Sequence, residues 1–140
     1  MLKTGEALSI IYLPPIAQTQ LKIYAEASGD FNPIHQDEAE AKKVGLRGVI
    51  AHGMLSAAML AERGRVLAKT QAESFKPISF HCRFKSMLAL GDTISICGTV
   101  KEVSENSLTL DLVAKNQKGE TVTTATIRYL NWLRPAVALK

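Results

Sequence analysis

Residues 24–60 read YAEASGDFNPIHQDEAEAKKVGLRGVIAHGMLSAAML and hold two polar knots in an otherwise ordinary sequence. The first is Ser28-Gly29-Asp30-Phe31-Asn32-Pro33-Ile34-His35. The second, Ala51-His52-Gly53-Met54-Leu55, opens the most apolar helix-like run in the chain. An acid and a histidine five residues apart, followed by a glycine at the mouth of an apolar helix, have the makings of one chemical site.

That apolar run predicts a helix from Gly53 to about Thr70. Met54, Leu55, Ala57, Ala58, Met59, Leu60 and Ala61 leave almost no polar face in its first half. A helix apolar all round is expected to be buried all round. Gly53, Ser56, Ala57, Ala58 and Ala61 are small enough to let other backbone approach closely. Arg63, Arg65 and Lys69 carry the C-terminal half into water, where cations suit the helix dipole.

Toward the N-terminus, residues 6–12 (EALSIIY) predict an edge strand, closed by Pro14-Pro15, which cannot continue a ladder. Residues 17–28 predict a short amphipathic helix with Thr19 as its N-cap and Leu21, Tyr24 and Ala25 on one side. Gly29 closes it in the left-handed conformation, and Asn32-Pro33 keeps the following chain in a turn. Asp37 caps a second short helix, 38–44, that Gly45 ends.

Toward the C-terminus, four strands follow. Residues 78–85 alternate, with Ile78, Phe80, Cys82 and Phe84 on one face and His81, Arg83 and Lys85 on the other. Residues 93–103 bring Ile94, Ile96 and Val100 into phase after a Gly91-Asp92 turn. Leu108, Leu110, Leu112 and Ala114 repeat with period two, and Lys118-Gly119 turns the chain into a strand over 121–132. Pro135 begins a short tail. Short turns between strands imply an antiparallel sheet. The expected fold class is α+β, an antiparallel sheet wrapped around one long central helix. Its open edge invites dimerisation.

Composition narrows the function. The 140 residues predict one domain, 1–140, large enough for a real core. The 46% hydrophobic and 21% charged residues match an ordinary globular protein. No apolar run approaches the roughly 20 residues that span a bilayer, and no secretory signal is evident, so a cytoplasmic location without membrane partners is expected. Cys82 and Cys97 lack CxxC spacing and are read as free buried thiols. No ligand pair stands at metal-site spacing, so no metal and no cofactor are expected. The net charge of +4 is spread over Lys42, Lys43, Arg47, Arg63, Arg65, Lys69, Arg83 and Lys85 without interleaved aromatics. That pattern speaks against nucleic acid and suits a small anionic ligand such as a nucleotide-tailed thioester.

The two knots together resemble the hydratase-2 motif of the MaoC-like, (R)-specific enoyl-thioester hydratases. The resemblance runs through the helix-then-strands layout and so covers most of the chain. It implies a hot-dog fold, usually dimeric and in some relatives heteromeric, acting on coenzyme A or acyl-carrier-protein thioesters. It implies reversible hydration of trans-2-enoyl thioesters to (R)-3-hydroxyacyl thioesters, or the reverse dehydration, in fatty-acid or polyhydroxyalkanoate metabolism.

That chemistry needs a base for water, an acid for the α-carbon, and stabilisation of the enolate on the thioester oxygen. By resemblance, Asp30 is the base, while His35 orients the water and handles the second proton. Phe31 and Ile34 are expected to bury the Asp30 carboxylate in part. The backbone N–H of Gly53, at a helix N-terminus, is suited to the oxyanion. Asn32 and Pro33 are expected to hold the loop, and His52 to support it as a helix cap. Met54 and Phe31 are candidate substrate contacts, and Met54, Leu55 and Met59 candidate core. Relatives often carry a hydroxyl residue within the central helix; here Ser56 comes early and position 61 is alanine. Taken singly, Gly29-Asp30 and Asn32-Pro33 are ordinary turn chemistry; the signal is their joint occurrence with His35 and Gly53.

Two other functions stay open from sequence. A hot-dog acyl thioesterase would need an acid on the central helix, yet none precedes Glu62. A non-catalytic acyl-thioester binding or partner subunit would not need both Asp30 and His35.

Overall fold

The computed structural model describes residues 1–134, so the tail expected from Pro135 lies outside the described residues. Five antiparallel strands form one sheet: β1 (Ile11–Tyr12), β2 (Phe75–Phe84), β3 (Ser95–Val103), β4 (Ser107–Lys115) and β5 (Thr121–Asn131). Their order is β1-β3-β4-β5-β2, so the strand that directly follows the long helix lies at one edge and the N-terminal strand at the other. The helices are α1 (Gln18–Ser28), α2 (Glu38–Lys43) and α3 (Gly53–Gln71).

Register explains the core. Paired residues share a face, and Phe80, Ile127, Leu110 and Val100 lie side by side across four strands. The helix α3 packs against that face through Leu55, Ala57, Leu60, Gly64, Leu67 and Ala68. Leu108, Leu110, Leu112 and Ala114, the period-two run of β4, are all buried. Truncating such a residue to alanine typically costs about 2–5 kcal/mol, since the cavity relaxes only in part.

Several expectations change in detail. The N-terminal edge strand is only two residues long; before it the chain touches β3 through an Ala7–Thr99 bridge and a Leu8 N–H to Gly98 carbonyl bond. Thr19 does not cap α1: the cap position is Ala17, two residues earlier, with no side-chain bond. Asp37 does cap α2, accepting from the Glu40 N–H at 3.1 Å.

The largest correction concerns α3, which is buried on one side only. Met54 is 56% exposed and Val66 41%, because the sheet covers one face and the described residues leave these positions on the other open. From Phe80 to Phe84 the apolar face of β2 has the expected phase, with a register shift at Ile78 between Pro77 and Ser79, but β2 lies at the sheet edge, where α3 touches it without covering it. Ile78, Phe80 and Phe84 therefore stay substantially exposed. The thiols of Cys82 and Cys97 are free but half-buried rather than buried, and they stand on strands that are not neighbours.

Helix and sheet approach tightly at Gly64. A Cβ there would meet the Tyr129 hydroxyl and stand 2.8 Å from Ile127 Cδ1. Tyr129 is itself held under the helix: burial pushes its phenol up to about 12, with Arg65 opposing and Glu62 adding to the shift. Gly64→Ala must displace the ends of the Tyr129 and Ile127 side chains or lift α3 off β5. We expect it to cost about 1–3 kcal/mol, as overpacked cores do, read as a lower urea midpoint. An unchanged midpoint would mean that the helix is not seated on that contact.

Candidate active site

Local structure at the first knot follows from its turn residues. Gly29 ends α1 in the left-handed conformation (φ 76°), with its N–H on the Ala25 carbonyl at 2.9 Å. That turns Asp30 away from the helix axis. The Asp30 N–H then donates to Ser28 Oγ at 3.2 Å, and Asp30 Oδ1 accepts from the Asn32 N–H at 3.1 Å. Asn32 Oδ1 in turn accepts from the Ile34 N–H at 3.2 Å, and Pro33 opens a single 3-10 turn, Pro33–His35. Ser28, Asp30 and Asn32 thus each close a two-residue loop, which fixes the carboxylate's approach.

The second knot is reached through a short extended connector. Val49 and Ala51 exchange backbone bonds with Leu90 and Leu88, and the Ile50 N–H donates to the Ile34 carbonyl at 3.2 Å. His35 completes this join. Its Nδ1 lies 2.8 Å from the Ile50 carbonyl. A carbonyl only accepts, so Nδ1 carries the proton and Nε2 presents a lone pair. Nε2 stands 3.9 Å from Asp30 Oδ2, with the two side chains 9% and 52% exposed. That is too long for a direct hydrogen bond.

His52 does not act as the expected side-chain cap of α3, for no such bond is formed. Instead its Nε2 donates to the Asp30 backbone carbonyl at 3.0 Å, tying the second knot to the first. Its ring stacks on His35 (centroids 3.8 Å apart, planes at 26°) and meets Tyr24 at 4.8 Å. The other nitrogen, Nδ1, is buried with no partner among the described residues. An unsatisfied buried group costs on the order of 1–3 kcal/mol.

Asp30, His35 and His52 bring three donor atoms within 4.8 Å of one another. Two nearly parallel stacked rings, however, aim their in-plane lone pairs side by side. A metal site needs donors that converge to about 2.0–2.1 Å, and this trio is not so arranged.

Gly53 is the first residue of α3, where an N–H has no intrahelical partner. No acceptor among the described residues meets it. The Phe84 ring lies over Gly53, and a Cβ there would stand 3.3 Å from Phe84 Cε1. Phe84 arrives by register, opposite Thr123 on β5. Thr123 is buried and shares a 2.6 Å hydroxyl bond with Ser56 of α3, which also donates to the Gly53 carbonyl at 2.8 Å. The early hydroxyl of the helix therefore anchors the first turn to the sheet.

Two clefts flank this point. An inner one of about 350 Å³ is lined by His35, Ser56, Leu88 and Thr123, and an outer one of about 360 Å³ by Tyr24, Asp30 and Met54. His52, Gly53 and Phe84 line both. Phe31 is 63% exposed and lines neither. The expected partial burial of Asp30 by Phe31 is accordingly absent. Sequence reasoning missed Ser56 as an anchor, Thr123 and Phe84; strand register alone carries that information.

Comparison with known proteins agrees with the geometry. Residues 3–125 match the family model of the MaoC like domain, and the chain belongs to that family. It is 34% identical over 125 residues to 3-hydroxyacyl-thioester dehydratase X of Mycobacterium tuberculosis, covering 84% of this chain. The chain spans only 41% of that relative's length. Among solved structures it is similar to the R-hydratase PhaJ1 from Pseudomonas aeruginosa, with a TM-score of 0.78 and 27% identity, over 93% of this chain and 82% of that one. The ChsH1-ChsH2 complex of Mycobacterium tuberculosis shares the fold, with a TM-score of 0.77 at 24% identity, over 94% and 99% of the two chains. The architecture is the hot-dog fold, a five-stranded antiparallel sheet against one long helix.

Proposed function

We propose that the protein hydrates trans-2-enoyl thioesters to (R)-3-hydroxyacyl thioesters, or catalyses the reverse dehydration, in fatty-acid metabolism. The observation that carries this reading is the Asp30–His35 pair, separated by 3.9 Å, beside the free N–H of Gly53. A water oxygen within hydrogen-bond distance of both acceptors fits across that gap. Both of its protons then point at Asp30 Oδ2 and His35 Nε2, and its lone pair is left for the β-carbon.

The group that takes the water's proton becomes the acid that protonates the α-carbon, so the addition balances without another proton source. Because Nδ1 of His35 is committed to Ile50, His35 begins as an acceptor. The thioester oxygen sits at the Gly53 N–H, where the helix N-terminus stabilises the developing enolate. Support for this reading over a thioesterase comes from Glu62. It is the first acid of α3 and is exposed, and the adjacent Arg65 guanidinium holds its carboxyl below the ordinary range.

The protein is proposed to act as a homodimer joined along the open edge of β2, where Ile78, Phe80 and Phe84 lie exposed beside unpaired backbone. Sedimentation is expected to find a dimer that Phe80→Glu shifts toward monomer. A fully active monomer would remove the dimer from this reading.

The activity test follows the absorbance of a short enoyl-CoA as its conjugation is lost. Asp30→Asn and His35→Ala are each expected to slow it by at least about 10²-fold, the usual scale of a positioned acid or base. Wild-type rates in both variants would sink the reading.

Gly53→Pro separates the N–H from the fold. Proline is well tolerated at the first helical position, and His52 already has the extended backbone (φ −58°, ψ 133°) that a residue before proline requires. The expected result is a small drop in melting temperature, because the Phe84 ring must give way to a Cβ 3.3 Å from it, with kcat lower by about 10²–10³, the usual loss for an oxyanion donor. Undiminished turnover would exclude that N–H.

A further inference from the structure

We propose that Arg47 binds the phosphate that ends the pantetheine arm of the substrate, the group shared by coenzyme A and a phosphopantetheinylated carrier protein. This rests on the reading of Asp30, His35 and Gly53 given above, and adds to it the anchor for the carrier end of the thioester.

A cleft of about 780 Å³ lies beside the catalytic clefts rather than in them. It meets the inner catalytic cleft at Ile50 and Met87, which line both. Arg47 lines its wall, with the amides of Gln18 and Gln36 and the apolar Leu90. A pantetheine arm, with two amides and a gem-dimethyl carbon, asks for that mixture of polar and apolar surface.

Charge points the same way. Arg47 has no carboxylate partner among the described residues, whereas its neighbours Lys42 and Lys43 are paired with Glu38 and Glu40 at 3.1 and 2.7 Å. Glu38 is the single acid lining this cleft, and Lys42 offsets it. The cleft thus keeps one uncompensated guanidinium, whose planar fork matches a phosphate. Lys85, on the wall of the inner cleft, likewise makes no ion pair among the described residues.

Reach is the remaining constraint. Arg47 stands six positions before Gly53, at most about 20 Å of chain at ~3.3–3.6 Å per residue. The backbone bonds of Val49 and Ala51 to Leu90 and Leu88 hold that connector in place. An extended pantetheine arm spans a comparable distance from sulfur to phosphate. A thioester whose carbonyl rests at Gly53 can therefore set its phosphate at Arg47.

The test compares wild type with Arg47→Ala and Arg47→Lys on one enoyl group carried by pantetheine, 4′-phosphopantetheine, coenzyme A and a carrier protein. Arg47→Ala is expected to raise KM about five- to tenfold on the three phosphate-bearing substrates, the scale of one partly exposed charge-assisted contact. On pantetheine it should match wild type, and Arg47→Lys should recover part of the loss. Whichever of coenzyme A and carrier protein shows the lower KM with wild type is the preferred source of the phosphate. An unchanged KM on every carrier, or a rise with coenzyme A alone that phosphopantetheine does not share, would overturn the assignment. If wild type turned over none of the four, the hydratase reading itself would fall and take this one with it.

Discussion

The hydrogen bond from His35 Nδ1 to the Ile50 carbonyl is the interaction on which the site depends. It joins two segments fifteen residues apart and fixes the histidine tautomer in the same act. Without it, Nε2 has no assigned role and the 3-10 turn is held to the connector only by the Ile50 N–H to Ile34 carbonyl bond. The second tie, from His52 Nε2 to the Asp30 carbonyl, runs the other way across the same seam. Each knot thus holds the histidine or acid of the other, and the two rings stack between them. A seam built this way is stiff, because breaking either bond strands a buried polar group at a cost of about 1–3 kcal/mol.

The fold delivers the seam to the helix. The Ser56–Thr123 hydroxyl bond and the Phe84 ring fasten the first turn of α3 to the sheet, so the Gly53 N–H cannot drift relative to His35. Ser56, Thr123 and Phe84 belong to different elements, and only the β2–β5 register sets Phe84 opposite Thr123. A one-residue slip of β2 in that register would turn Phe84 to the face opposite Thr123, which β4 holds in place, and dismantle the site from its supporting side.

Much of this was legible in the sequence, and the reason is locality. Asp30, Asn32, Pro33 and His35 lie within six residues, and their turn chemistry acts over two or three bonds, so the pattern of residue types suffices. Alternation in β4 gave its buried face for the same reason. What sequence could not carry was coverage. The apolar run of Met54 to Ala61 reads as buried on all sides, yet burial depends on how far a twisted five-stranded sheet extends around a helix. Phe80 and Phe84 have the inward phase but stand at an edge, where phase and exposure part company. Arg47 was visible only as one of many dispersed cations until the connector and the cleft gave it a place.

The two members of the pair differ most in their contact with water. His35 is almost fully enclosed, while half of the Asp30 side chain is open. An enclosed imidazole keeps its geometry whether or not substrate is present. An open carboxylate is solvated until something displaces that water, and charges act more strongly once it is gone, as the effective dielectric constant falls from about 80 toward 20. Met54 and Phe84 border the open side, so an apolar acyl group resting there would complete the enclosure of Asp30. On the proposed chemistry, the acid is held in direction by its loop but left for the substrate to desolvate. The site is preorganised in geometry before binding, and in polarity only after it.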